Sequence, residues 1–323
     1  MPTSQKILHQ CQAEAWRTTS PHVNGAAHIR KLVIALVTTQ AARGHDHDLD
    51  ILTAALDAAG QQWQIVNWDD TSIDWSQFSI AVLRSTWDYY ARLDEFTAWV
   101  DRISAQTTLC NPAEIVRWNV DKRYLQEMSA NSIPVMETTF VSQLNDITPE
   151  LIAQDVIIKP VVSAGSNNTA RHRNDAIAAR AQLDHILASG GVAMVQPYSS
   201  TIDSVGETGL VYLGGKFSHA FGKDAVFGDA EQVHNGVHVQ EVITARTASA
   251  NEHLLGDAVI KFLITKFGVT PLYARIDMVT NIDGVPEIME VELTEPSLYL
   301  HLDAGSPERA ATALANAAIA ARG

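Results

Sequence analysis

Arg275-Ile-Asp277 is followed, thirteen residues beyond the aspartate, by Glu290-Val-Glu292. Three carboxylates beside a guanidinium suit a metal and phosphate site. Hard oxygen ligands favour Mg²⁺, which completes its octahedron with water and phosphate oxygens, and a guanidinium pairs with phosphate or carboxylate. The flanking pattern says how they would be held. Leu272-Tyr-Ala-Arg-Ile-Asp-Met-Val alternates and is β-prone, Pro286-Glu-Ile-Met-Glu-Val-Glu-Leu does the same, and Asp283-Gly284 between them is a turn signal. Residues two apart on a strand share a face, so a paired hairpin would make Asp277, Glu290 and Glu292 converge beside Arg275. A solvated acidic strand face would carry the same acids, but Glu290 and Glu292 interleave with Met289, Val291 and Leu293, the pattern of a strand with one buried face.

The remaining composition sets limits on function. With 323 residues, 46% of them hydrophobic and 19% charged, the chain can bury a substantial core and is expected to form two or three domains. A formal charge of −14 argues against general nucleic-acid binding, which needs a basic face. No long apolar span suggests a membrane segment, and the N-terminus lacks the apolar core of a signal peptide. Cys11 and Cys110 are too few and too far apart for a disulfide framework, so a cytoplasmic protein with incidental or structural thiols is expected.

Residues 1–30 are polar and irregular and read as a flexible tail. A strand at Leu32–Val37, a helix from Asp48 to Ala59 closed by Gly60, strands at Trp63–Asn67 and Ile80–Leu83, and a helix from about Asp94 predict a doubly wound α/β domain over 31–112 with a parallel sheet. A helix over Val120–Ala130, strands at Asp155–Lys159 and Val192–Gln196, and a helix near Asp175–Leu187 predict a small central domain, 113–198. The hairpin-rich remainder, 199–323, is expected to form a mixed-sheet domain of α+β type. It ends on a helix opened by Ser306-Pro307-Glu308.

Several upstream motifs fit the carboxylate hairpin. Lys159 ends a buried strand, and the small, hydroxyl-rich loop Ser163-Ala-Gly165-Ser166-Asn-Asn-Thr169 follows, able to lay N–H groups over phosphates. Lys122, in Trp118-Asn-Val-Asp-Lys-Arg-Tyr, reads by itself as a helix-surface lysine. Met194-Val-Gln-Pro-Tyr198 runs from a strand into a hinge where Gln196 could meet an adenine edge. Glu207 stands where a carboxylate could receive ribose hydroxyls, and Lys223 is a further cation. The polar loop from Phe227 to Val239, with Gly228, Asp229, His234, Asn235 and Gly236, could close as a lid, or could be a surface connection.

This order of motifs resembles the ATP-grasp superfamily of carboxylate ligases, over roughly Asn111 to Ala304, and most closely its glutathione-synthetase-like and RimK-like members. The resemblance implies an ATP-grasp architecture and a role for each residue. Lys122 and Lys159, with Ser163, Gly165 and Ser166, would contact nucleotide phosphates, Gln196 and Tyr198 would line the adenine pocket, and Glu207 would take the ribose. Lys223 and Arg275 would meet the transferred phosphoryl group. Asp277, Glu290 and Glu292 would hold two Mg²⁺ ions, with Mn²⁺ as a substitute. The family usually has asparagine where this chain has Glu292; a glutamate adds negative charge there and still coordinates Mg²⁺.

The N-terminal part, through Arg84-Ser85-Thr86-Trp87-Asp88-Tyr-Tyr90, Asp48-Leu-Asp50, Trp68-Asp-Asp70 and Arg117-Trp-Asn119, is similar to a subgroup that includes the cyclo-ligase of cycloserine biosynthesis. Arg84 to Asp88 follow a strand at its carboxyl end, where doubly wound sheets bind ligands, and are the expected substrate residues. Trp87 and Tyr90 as packing residues, with Arg84 paired to Asp88, are the alternative. His45-Asp-His-Asp48 has the residue types of a metal cluster, but i, i+2 ligands without a third histidine read as solvated. The implied reaction is activation of a small carboxylate, amino-acid-like, as an acyl phosphate, followed by attack of an amine to give an amide or a cyclised product, in a monomer or homodimer. Intramolecular cyclisation, a phosphotransferase and a non-catalytic ATP-binding protein are the alternatives. A Rossmann dehydrogenase is disfavoured, because Thr38-Thr-Gln-Ala-Ala-Arg-Gly44 lacks the glycine pattern.

Overall fold

A strand covered on both faces must be apolar at nearly every position, and Val33-Ile-Ala-Leu-Val37 meets that requirement. The computed structural model describes residues 32–165, 167–224 and 242–322; the expected tail, Ser166 and the expected lid fall outside the described residues. Strands β1 (Val33–Thr38), β2 (Gln62–Asn67), β3 (Ile80–Ser85) and β4 (Thr108–Cys110) form a parallel sheet in the order β2-β1-β3-β4. Ile34, Leu36, Ile80 and Val82 face one side and meet Leu49, Leu52 and Leu56 of the helix His47–Ala58 and Leu314 of the last helix, Ser306–Ala320. Ala35, Val37, Ala81 and Leu83 face the other and meet Phe96, Trp99, Val100 and Ile103, the i, i+3, i+4, i+7 stripe of the helix Leu93–Ser104. Each large side chain buried this way contributes about 1.5–3 kcal/mol.

The second sheet, in the order β5-β8-β6-β7, is antiparallel and is built from β5 (Thr139–Val141), β6 (Asp155–Pro160), β7 (Ala170–Arg173) and β8 (Ala193–Pro197). The helix Ala176–Ala188, N-capped by Asp175, lays Leu183 and Ile186 on Val156, Ile158 and Val195. The third sheet follows the order β11-β10-β9-β12-β13, from β9 (Glu207–Leu213), β10 (Lys216–Lys223), β11 (Ile243–Arg246), β12 (Tyr273–Thr280) and β13 (Pro286–Glu292). These five pair antiparallel, and a parallel bridge from Val135 to Ile288 lies outside the named strands. The helix Ala250–Phe267 covers it, opened by the Ser249–Glu252 capping box and closed by Gly268 in the left-handed conformation.

Two local features shape the cavity. The helix expected over Val120–Ala130 begins only at Tyr124, and a separate helix, Ala113–Asn119, precedes it. Between them the Asp121 carboxylate accepts the N–H of Arg123, a local bond that competes with continued helix, and the N–H of Lys122 donates to the Val161 carbonyl at 2.9 Å. Lys122 is therefore buried beside β6 rather than exposed on a helix surface. Gly206 has φ of +73°, and a Cβ there would stand 2.4 Å from the Lys223 carbonyl oxygen, so only glycine lets Glu207 begin β9 beside the end of β10.

Candidate active site

The hairpin register puts Arg275 opposite Glu292 and Asp277 opposite Glu290, so all four side chains share one face. That face is one wall of a cavity of about 800 Å³. The outer edge of β13 is held by side chains from the helices Ala113–Asn119 and Tyr124–Ala130. Tyr124 Oη accepts the N–H of Val291 and donates to its carbonyl, while Asn119 accepts the N–H of Leu293 and donates to the Val291 carbonyl.

Each of the three acids on this wall is set against a cation. Arg275, 5% exposed, donates to Asp277 through Nε at 3.0 Å and Nη2 at 2.7 Å, to Glu292, and to the Ser297 carbonyl at 3.2 Å. Lys223 Nζ donates to Asp277 at 3.1 Å and lies 4.0 Å from Glu207. Lys122 Nζ is 3.2 Å from one oxygen of Glu290 and Lys159 Nζ 3.6 Å from the other, and Lys122 also donates to the Ser163 carbonyl at 3.0 Å. Burial alone would raise the Asp277 carboxyl, yet Arg275 and Lys223 hold it below the ordinary range. Glu290 is likewise held low against burial by Lys122 and Lys159. Glu292 goes the other way, because burial and the neighbouring Glu290 and Asp277 outweigh Arg275.

Glu295, three residues past Glu292, lines the same cavity and makes no ion pair among the described residues. Burial, and then the charge of Glu292, push its carboxyl up to about 8 from an ordinary 4.5. The folded protein thus keeps a proton that the unfolded chain releases near 4.5, so stability falls as pH rises between those values. Glu295→Gln removes that slope. The variant is expected to melt level with wild type at about pH 5 and about 2–4 °C above it at about pH 8, for about 1 kcal/mol recovered. A melting difference that does not change with pH would contradict this.

Of the residues expected at the site, Lys122, Lys159, Ser163, Gly165, Gln196, Tyr198, Glu207, Lys223, Arg275, Asp277, Glu290 and Glu292 all line the cavity, as does Trp87. Gln196 donates to Thr138 Oγ1 at 3.0 Å, and the Tyr198 ring lies under the Arg171 guanidinium at 3.2 Å. Ser166 is outside the described residues.

The carboxylates do not form a ready cation cage: among the described residues no three His, Cys, Asp or Glu side chains gather to hold a metal ion. Lysines and arginine occupy the oxygens instead. The donor set nevertheless fits Mg²⁺, since hard carboxylate oxygens share one wall and their mutual repulsion contributes to the raised Glu292 carboxyl, which a cation would relieve.

The other expected substrate residues are not at the cavity. Arg84, Ser85 and Thr86 are at most 1% exposed and stand outside its lining. Arg84 donates to the Pro296 carbonyl at 3.1 Å and lies 3.9 Å from Asp48, and Ser85 shares a 2.8 Å hydrogen bond with Thr38. Asp88 accepts from Trp68 Nε1 at 2.9 Å and pairs with Arg92, not with Arg84. Asp48, expected in a solvated loop, is 3% exposed and accepts the N–H groups of Leu298, Tyr299 and Leu300 at 2.5, 3.0 and 2.7 Å. Cys110 is buried, which pushes its thiol up to about 12 and leaves it inert at neutral pH. Sequence reasoning missed Glu295; its only signal was its closeness to Glu292, and Pro296 ends the alternation that identified the other acids.

Comparison with known proteins agrees with this architecture. Residues 34–111 match the family described as D-cycloserine synthetase DcsG, N-terminal domain. The chain is 33% identical over 296 residues to the cycloserine biosynthesis protein DcsG of Streptomyces lavendulae, covering 88% of this chain and 98% of that protein. The crystal structure of D-cycloserine synthetase DcsG superposes with a TM-score of 0.82 at 32% identity, covering 88% of this chain and 99% of that one. D-alanine–D-alanine ligase from Bacillus anthracis (TM-score 0.62, 12% identity, 90% and 98% covered) and a RimK domain ATP-grasp protein from Sphaerobacter thermophilus (0.60, 18%, 88% and 98%) share the fold. The α/β class and the ATP-grasp architecture expected from the motifs are those of these neighbours, and no helix among the described residues is long and apolar enough to cross a membrane. The chain belongs to the DcsG family and is an ATP-grasp carboxylate–amine ligase, forming carbon–nitrogen bonds.

Proposed function

We propose that the protein is an ATP- and Mg²⁺-dependent cyclo-ligase: it phosphorylates the carboxylate of an amino-acid-like small molecule and lets an amine of the same molecule displace the phosphate, releasing ADP and phosphate. The observation that carries this reading is the sharing of Glu290 between Lys122 and Lys159. A triphosphate would compete for both lysines, and a lysine drawn to phosphate would leave a Glu290 oxygen able to hold a metal ion. Similarity to a D-cycloserine synthetase over nearly the whole length of both proteins favours ring closure over joining two molecules. D-alanine–D-alanine ligase from Bacillus anthracis has been crystallised with ATP, and the ATP-grasp ligase PsnB with its minimal precursor, Mg and ADP.

In this reading residues 31–112 form the substrate side, and 113–198 and 199–323 clasp the nucleotide. Gln196 and Tyr198 line the adenine end and Glu207 receives the ribose. Asp277, Glu290 and Glu292 would hold two Mg²⁺ ions, which would supply Lewis-acid neutralisation of the phosphoryl oxygens. Lys122, Lys159 and Lys223 neutralise charge on the phosphates, so that the substrate carboxylate can approach the γ-phosphorus and ADP can leave. Arg275 then faces the acyl phosphate, where its fork stabilises the oxyanion formed as the amine attacks.

The reading is tested by ADP release from Mg-ATP against a panel of amino acids and their derivatives, with hydroxylamine present. Release that depends on one acid, with that acid's hydroxamate as product, is expected. ADP release with no acid requirement would point to a phosphotransferase or a simple ATPase.

A further inference from the structure

Glu295 has no task in the proposed phosphoryl chemistry. Glu295 lines the cavity, and among the described residues its carboxylate makes no hydrogen bond and no ion pair. Its backbone, by contrast, is tightly fixed. The Glu295 carbonyl accepts from Trp87 Nε1 at 3.2 Å, the Pro296 carbonyl from Arg84 at 3.1 Å and the Thr294 carbonyl from Tyr273 Oη at 2.9 Å, while Asp48 holds the N–H groups beyond. Side chains from three distant stretches of chain therefore hold a segment that presents an acid, unmatched among the described residues, to the cavity.

A carboxylate in such a place needs a cation, and the surroundings select which kind. Trp87, Tyr89 and Tyr90 line the same cavity, and aromatic faces beside a carboxylate suit an organic ammonium. Asp46, 7% exposed, lines the cavity too and has a carboxylate oxygen without a partner among the described residues. The raised carboxyl of Glu295 agrees, because a bound ammonium would replace the proton it now retains.

We propose that Glu295 receives the ammonium group of the amino-acid-like substrate and holds it as a bystander while the carboxylate of the same molecule is activated. This rests on the ligase reading above. It makes Glu295 a specificity determinant, and it assigns Arg84, Trp87 and Asp48 the work of positioning the segment that carries it.

The test is calorimetric titration of D-cycloserine, whose ring bears one primary amine, and of isoxazolidin-3-one, the same ring without it, in the presence of Mg²⁺ and a non-hydrolysable ATP analogue. D-cycloserine should bind wild type at least about tenfold more tightly than isoxazolidin-3-one. Glu295→Gln should weaken D-cycloserine about ten- to a hundredfold and leave isoxazolidin-3-one unchanged, with Glu295→Asp intermediate. Equal affinity of D-cycloserine for wild type and Glu295→Gln, including no binding to either, overturns the inference. Titration of the ATP analogue separates the two claims: unchanged affinity in Glu295→Gln shows that the variant is folded, and failure of wild type to bind the analogue overturns the ligase reading itself.

Discussion

Glu290→Gln is expected to lower ATP-dependent ligation by on the order of 10³-fold, since loss of a metal-holding carboxylate removes several kcal/mol of charge stabilisation and about 1.4 kcal/mol is a factor of ten. The same substitution acts on the free protein, because Lys122 and Lys159 share that carboxylate at 3.2 and 3.6 Å. Breaking one side of a fully buried pair costs about 3–5 kcal/mol, and as the Glu290 side chain is 20% exposed the expected loss is about 2 kcal/mol. The pH dependence has a definite sign. Glu290 titrates below its ordinary 4.5 in the folded protein, so its contribution is complete above 4.5 and is lost as pH falls through the lowered value. Urea unfolding should show the gap between wild type and variant at pH 7 and its closure in acid. Turnover within tenfold of wild type would remove Glu290 from the metal and phosphate chemistry.

Arg275→Lys is expected to lower product formation by about 10²–10³-fold, the effect of removing one oxyanion donor, while ATP affinity stays within about threefold. Lysine keeps the charge and loses the fork. Arg275 bonds Asp277, Glu292 and the Ser297 carbonyl together, and one ammonium cannot reproduce that geometry. The conservative change is the informative one, because Arg275→Ala would strand Asp277 and Glu292 in a buried site and confuse unfolding with catalysis. Equilibrium ATP binding and single-turnover product formation, measured side by side, separate the steps. Lost nucleotide binding with a normal chemical rate would mean that Arg275 serves the ground state.

The hairpin that carries Arg275 and the acids was legible because three local signals agreed: alternation on both strands, an Asp-Gly turn, and acids in phase with apolar neighbours. The first sheet was legible for the same reason, its strands being apolar runs between turn signals. Pairing was not legible. A strand-end Arg-Ser-Thr reads alike whether it faces a ligand or, as for Arg84, a carbonyl 212 residues away. Asp48 likewise reads as a solvated acid until its partners, 250 residues on, are known. Helical periodicity put the helix start at Val120, four residues early, because the non-helical Val120–Arg123 depends on one Asp121 side chain and on the Val161 carbonyl that receives Lys122. The cations set against each acid were equally hidden, since only the fold brings Lys122 and Lys159 to one carboxylate.

The central claim is that a substrate carboxylate is phosphorylated by ATP in this cavity, and oxygen transfer tests it most directly. Once the panel has identified the acid, its carboxylate is labelled with ¹⁸O and the released phosphate is examined by ³¹P NMR. One ¹⁸O per phosphate is expected, because breakdown of an acyl phosphate leaves a carboxylate oxygen on phosphorus. Unlabelled phosphate from a reaction that consumes the acid would contradict the account.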